Sequence, residues 1–122
     1  MATILLIDDD AEVRRTIGRM LLSAGYDVVE AADGKSGLNA IRIQAPDLVI
    51  TDILMPGQEG IETIARIREF LDVPIIAISG TRVSDEFDPL RDATLLGAQL
   101  AIAKPFDAKE LIAAVKHLLE PA

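Results

Sequence analysis

Residues 3–10 read Thr3-Ile4-Leu5-Leu6-Ile7-Asp8-Asp9-Asp10, an aliphatic run that stops abruptly in three aspartates. Large apolar residues with no polar alternation are what a strand covered on both faces requires. The polar stop puts carboxylates at the carboxyl end of that strand. Downstream, Val13, Ile17, Met20, Leu21 and Ala24 recur at helical spacing with charges between them. Gly25 supplies a stop signal, and Asp10 or one of its neighbours is the expected N-cap.

The alternation continues to the end of the chain. Tyr26–Ala31 predicts a second strand, and Leu38 and Ile41 a short helix. Leu48–Thr51 predicts a third strand. Ile61, Ile64, Ala65, Arg68 and Leu71 mark a helix that ends before Pro74. Pro74–Ile78 is the fourth strand, Asp92–Gly97 closes a further helix, and Gln99–Ala103 is the fifth strand. Leu111, Ile112, Val115, Leu118 and Leu119 form a last amphipathic helix, with Asp107 as its N-cap. Ser79–Pro89 is polar and acidic and reads as a long connection. Five apolar strands, each followed by a helix, predict an α/β domain with a parallel sheet flanked by helices on both faces. No composition shift divides the chain, so residues 1–122 are expected to form one domain.

Composition narrows the function. Half of the 122 residues are hydrophobic and 3% are aromatic, so the core must be built from Ile, Leu, Val and Ala. A net charge of −8 repels a phosphate backbone, and direct nucleic-acid binding is not expected. The absence of cysteine excludes disulfides, thiolate metal sites and cysteine nucleophiles. No apolar run approaches the roughly 20 residues that span a bilayer, and no basic segment precedes the short apolar run near the N-terminus. A cytoplasmic location without membrane partners is therefore expected. His117 is the only histidine and sits near the end of the last helix, where a cation suits the helix dipole. A typical zinc site is not expected. There is no Ser-His-Asp arrangement, Walker-type glycine loop or GxGxxG fingerprint.

Ligands of open α/β sheets bind outside the carboxyl ends of the strands. Those ends carry Asp8, Asp9 and Asp10 on the first strand, Asp52 on the third, Ser79 on the fourth and Lys104 on the fifth. Singly each is ordinary: an Asp at a strand end is commonly a cap, a lone Lys a solvated charge and Ser79-Gly80 a turn. Together they converge on one rim. Like carboxylates about 4 Å apart repel by about 4 kcal/mol at an effective dielectric near 20. Lys104 alone does not neutralise three of them. A hard divalent cation with oxygen ligands does, which points to Mg2+ or, in its place, Mn2+. A carboxylate beside such a cation, a lysine and a hydroxyl is a reasonable phosphoryl acceptor.

The chain resembles the receiver domain of bacterial two-component response regulators. The matching segments are Ile4-Leu5-Leu6-Ile7-Asp8-Asp9-Asp10, Asp52-Ile53-Leu54-Met55-Pro56 with Gly60, Ile78-Ser79-Gly80 and Lys104-Pro105-Phe106. They cover essentially the whole chain in the family's order. The resemblance implies a doubly wound (βα)5 fold of strand order 2-1-3-4-5 with five flanking helices. It implies Asp52 as phosphoacceptor and Asp8 and Asp9 as the acidic pair that holds Mg2+, Asp9 directly and Asp8 mainly through water. It also implies the backbone carbonyl of Leu54 as a further metal ligand. Ser79 matches the hydroxyl that turns toward the phosphoryl group, and Lys104 the lysine that pairs with it. Implied partners are a histidine kinase or histidine phosphotransfer protein, and a downstream protein target or a lost output domain. The latter reads the face of the fourth helix, fifth strand and fifth helix. The activity implied is regulatory, catalysing only the chain's own phosphorylation and dephosphorylation.

Two departures from the family pattern stand out. Ala101 occupies the position three residues before the lysine where an aromatic is usual, and the segment from Ser79 to Lys104 is longer than usual. Phe87, within that segment, is either a substitute for the missing ring or an anchor for the loop. Leu54 and Thr81 flank the expected phosphoryl site. Leu54 cannot orient a water, so slow autodephosphorylation is expected. Two other readings compete. One is a scaffold that works unphosphorylated, which the intact Asp8, Asp9, Asp52, Ser79 and Lys104 set opposes. The other is a phosphohydrolase of haloacid-dehalogenase type, which needs an Asp two residues after the nucleophile, where Leu54 stands. Whether the sequence is a stand-alone receiver or a piece of a longer regulator is left open.

Overall fold

The computed structural model describes residues 2–53, 59–79, 97–103 and 106–120; at residues 59–61 and 79 it describes the backbone alone. Five strands are present: β1 (Thr3–Ile7), β2 (Asp27–Ala31), β3 (Leu48–Asp52), β4 (Ile75–Ser79) and β5 (Leu100–Ala103). The helices among the described residues are α1 (Ala11–Ser23), α2 (Gly34–Ile43), α3 (Glu59–Phe70) and α4 (Ala108–Leu119). The helix expected to close over Asp92–Gly97 lies outside the described residues except for Gly97, so α4 is the fifth helix of the sequence-based expectation.

All neighbouring strands run parallel, and the order β2-β1-β3-β4-β5 is the expected one. The aliphatic runs explain it. In β1, Ile4 and Leu6 pack with Ile17, Leu21, Leu111 and Val115 on the side of α1 and α4. Leu5 and Ile7 pack with Ile41, Ile64 and Ile67 on the side of α2 and α3. β3 and β4 divide in the same way, Ile50 and Ile76 on one face, Val49 and Ile75 on the other. Successive side chains of a strand point to opposite faces, so only a strand covered on both can bury a continuous run. Burying one such side chain contributes about 1.5–3 kcal/mol. β2 and β5 are edge strands, and several of their residues stay exposed.

Local chemistry sets the boundaries. Asp10 caps α1, its Oδ1 accepting from the N–H groups of Glu12 at 2.9 Å and Val13 at 3.4 Å. Asp107 caps α4 by accepting from Glu110 N–H at 2.8 Å. Both caps were expected. Asp33 does the same for α2 through Ser36 N–H at 2.7 Å, a cap not anticipated. α1 ends in a Schellman turn: Tyr26 N–H donates to the Leu21 carbonyl at 3.1 Å and Gly25 N–H to that of Leu22 at 3.0 Å. Gly25 adopts φ 95°, which costs other residues strain. That turn takes up Tyr26, which is why β2 begins one residue later than expected. Asp47 and Thr3 join the starts of β3 and β1, backbone N–H to carbonyl at 2.8 Å in one direction and Thr3 N–H to the Asp47 carboxylate at 2.8 Å in the other.

Among the described residues, no helix is long and apolar enough to cross a membrane.

Candidate functional site

The chain leaves β1 toward one edge of the sheet to form β2, then returns to the other side of β1 to form β3. The β1–β3 junction is the topological switch point, where an open α/β sheet leaves a crevice at the carboxyl ends of its strands. Ile7 is in register with Thr51 across that junction. Asp8 and Asp52 are therefore the next residues on each side.

Each of the three aspartates after β1 has a different environment. Asp8 is 2% exposed. Its N–H donates to the Ala31 carbonyl at 3.1 Å, which carries the β1–β2 ladder one step past the strand. Its Oδ1 accepts from Asp10 N–H at 2.9 Å, and its carbonyl accepts from Arg14 Nη1 at 2.6 Å. Asp9 is exposed. Asp10 is committed to capping α1.

Asp52 is the last residue of β3, opposite Ile78 of β4, and is 7% exposed. The next residue, Ile53, donates its N–H to the Ile78 carbonyl at 3.0 Å. The Asp52 carbonyl accepts from the Thr51 hydroxyl at 3.1 Å. The backbone on both sides of Asp52 is thus fixed to the sheet. Burying a carboxylate is costly unless it is hydrogen-bonded, paired or bound to a cation, and two of the four buried polar or charged residues among those described are Asp8 and Asp52.

Ser79 ends β4 in register with Ala103, the last residue of β5. Lys104 follows Ala103 in sequence but lies outside the described residues, as do Leu54, Thr81 and Phe87. Ala101, opposite Ala77, is exposed, and no aromatic ring stands at that point of β5.

Among the described residues, Asp8, Asp9 and Asp52 offer carboxylate oxygens at the switch point, the ligand type that suits Mg2+ or Mn2+ and not a thiophilic metal. Among the described residues, no group of three or more His, Cys, Asp or Glu side chains is arranged to hold a metal ion by itself. Arg14 also belongs to this region. Its sequence signal is only that of a charge on an amphipathic helix, because its partners Asp8 and Glu30 come from two other parts of the chain.

Residues 4–116 match the family model described as the response regulator receiver domain. The chain is 40% identical over 116 residues to the probable transcriptional regulator ycf27 of Porphyridium aerugineum, covering 95% of this chain and 47% of that protein. It thus spans about half the length of the curated relatives it matches. Among solved structures, NtrX from Brucella abortus superposes with a TM-score of 0.88 at 32% identity, over 98% of this chain and 27% of that one. The chemotaxis protein CheY4 of Vibrio cholerae superposes with a TM-score of 0.84 at 30% identity, over 98% and 99% of the two chains.

Proposed function

The chain belongs to the response regulator receiver family of two-component systems, and on that premise we propose that residues 1–122 form one receiver domain that accepts a phosphoryl group on Asp52 and switches the affinity of a partner. The observation that carries this reading is the pair of buried carboxylates, Asp52 and Asp8, at the ends of adjacent parallel strands at the switch point.

Each residue has a definable task. An Asp52 oxygen attacks the phosphorus of the donor, a phosphohistidine on a histidine kinase or a phosphotransfer protein. The new P–O bond forms as the P–N bond breaks, and the electron pair leaves with the donor imidazole. The rigid backbone around Asp52 holds the attacking oxygen in line, which is most of what such a transfer asks of a protein. Asp8, Asp9, Asp52 and the Leu54 carbonyl would hold Mg2+. When bound, the ion neutralises charge on the carboxylates and on the transferring group. Lys104 pairs with the phosphoryl oxygens and Ser79 donates its hydroxyl to them. The phosphoryl group adds about −1.5 to −2 charges, and drawing Ser79 and Lys104 toward it alters the face around β5 and α4 that a target protein reads. At the sequence position that in this family flanks the phosphoryl group stands Leu54, and slow hydrolysis is the corresponding reading, since an apolar side chain cannot orient a water.

Intact mass after incubation with acetyl phosphate tests the reading, read promptly because aspartyl phosphate is labile. Wild type is expected to gain one phosphoryl mass only with Mg2+, and Asp52→Ala none. Lack of gain with acetyl phosphate, of beryllofluoride binding and of Mg2+ binding together would overturn it.

A further inference from the structure

Arg14 lies one turn into α1, four residues after the cap Asp10, and its guanidinium spans two elements. Nη1 donates to the Asp8 carbonyl at 2.6 Å, and Nε pairs with Oε1 of Glu30 on β2 at 3.3 Å. The Arg14 side chain keeps 18% of its exposure and that of Glu30 49%. The Glu30 carboxylate lies beside α1 near Gly18, where a Cβ would stand in ordinary contact at 3.9 Å from Oε2.

The Asp8 carbonyl belongs to the peptide unit whose nitrogen is that of Asp9. A bond to that oxygen fixes the plane of the peptide joining the two residues. Asp8 is already anchored through its N–H to Ala31 and through Oδ1 to Asp10 N–H. Asp9 is exposed and follows the last ladder bond. The Arg14 bond acts on the carbonyl of the Asp8–Asp9 peptide itself, and with the Asp10 N–H bond to Asp8 Oδ1 it constrains the direction in which the chain leaves Asp8.

A bare cation at this place would oppose a metal. Glu30 neutralises it, so Arg14 delivers hydrogen-bond geometry with little net positive charge. With Glu30 half exposed, the pair contributes little to stability. We propose that Arg14, held by Glu30, is a positioning residue that orients the Asp8–Asp9 peptide for divalent-cation binding. The proposal rests on the metal-dependent receiver reading above.

The test is calorimetric titration of Mg2+ into wild type, Arg14→Lys, Arg14→Gln and Glu30→Gln, with acetyl phosphate phosphorylation followed as a function of Mg2+. Hydrogen-bonding partners of metal ligands typically matter about 10–100-fold in affinity. For a bond to the backbone beside the ligands, about fivefold to tenfold weaker Mg2+ binding is expected in both Arg14 variants. Lysine should not rescue, because its point charge cannot reach a carbonyl and a carboxylate in fixed geometry. The phosphorylation rate at saturating Mg2+ should stay within about twofold of wild type, a split that general loss of structure would not produce. Glu30→Gln should also weaken Mg2+ binding, because it unmasks the Arg14 charge. Wild-type affinity in Arg14→Gln, or full rescue by Arg14→Lys, would overturn the positioning role while leaving the receiver reading intact. Wild type that neither binds Mg2+ nor gains a phosphoryl group would overturn both.

Discussion

Arg68 reaches the Gly97 carbonyl with two donors, Nε at 3.1 Å and Nη2 at 2.9 Å, and so ties the end of α3 to the approach of β5. The same guanidinium donates to the Leu71 carbonyl at 3.2 Å and to Gln99 Oε1 at 2.6 Å. Gln99 Oε1 also accepts from Ile75 N–H at 2.7 Å, at the start of β4. One cation therefore organises the amino ends of β4 and β5, at the opposite end of the sheet from Asp8 and Asp52.

Arg68→Ala is expected to lower unfolding stability by about 2–3 kcal/mol, since hydrogen bonds from a charged donor contribute about 1.5–3 kcal/mol each and do not add in full. Arg68→Lys should recover little, because an ammonium cannot bridge three acceptors in a fixed fork. Urea unfolding at constant m-value measures it. A loss under about 0.5 kcal/mol would show that the clamp is incidental. Asp52 phosphorylation well below the melting temperature should be unchanged.

The two-faced sheet makes a second claim. Ile4 and Leu5 are adjacent in β1, face opposite sides and are both fully buried. In a strand with one wet face, only one of two neighbours would matter. Here Ile4→Ala and Leu5→Ala should each cost about 2–5 kcal/mol. A cost under about 1 kcal/mol for either, in equilibrium unfolding, would mean that one face is less tightly covered than its burial implies.

Those aliphatic runs are also why the fold was legible in the sequence. Ile4–Ile7, Leu48–Ile50 and Ile75–Ile78 can be satisfied only between two helical layers, and the polar residues that follow, Asp8, Thr51-Asp52 and Ser79, mark the strand ends. The caps Asp10 and Asp107 were legible because each precedes a clear helical stripe. Asp33 was not, because Asp33-Gly34 reads equally as a turn and α2 is short. Arg14 reads as an ordinary helical charge and Arg68 as one more position on or beside the helical stripe, because the groups that give them meaning, Glu30 and the Gly97–Gln99 segment, lie far along the chain. Pattern reading locates burial well. It does not locate a long side chain that reaches past its own element.

Asp33 gives stability a pH dependence. Its carboxyl is held below the ordinary value of 3.8, chiefly by the Ser36 backbone N–H and then by the Ser36 side chain, against a small opposing effect of burial. A folded-state pKa below the unfolded one means that the charged form is favoured by folding. The contribution is present above the unfolded value and is lost as pH falls through the folded one. Asp33→Asn keeps a capping oxygen but does not titrate. Its urea midpoint should fall less steeply than that of wild type between about pH 5 and pH 3. Parallel slopes would remove Asp33 from the acid response.

Tyr26 provides the opposite sign at the alkaline end. It is the only tyrosine and the chain has no tryptophan, so its phenolate absorbance can be followed without interference. The ring is 9% exposed, in the cluster with Leu21 and Val115. Burial raises its pKa above the ordinary 10.0, and the nearby Glu120 carboxylate adds to the rise by opposing a second negative charge. The folded state therefore holds the phenolic proton more tightly than the unfolded state. This contribution to stability is complete below the unfolded value and is lost as pH rises through the folded one. Spectrophotometric titration should place the native transition above that of the same protein in denaturant. Glu120→Gln should narrow the gap without closing it, because burial is the larger cause. A native phenol that titrates at or below the unfolded value would mean that Tyr26 is far wetter than its place between α1 and β2 indicates.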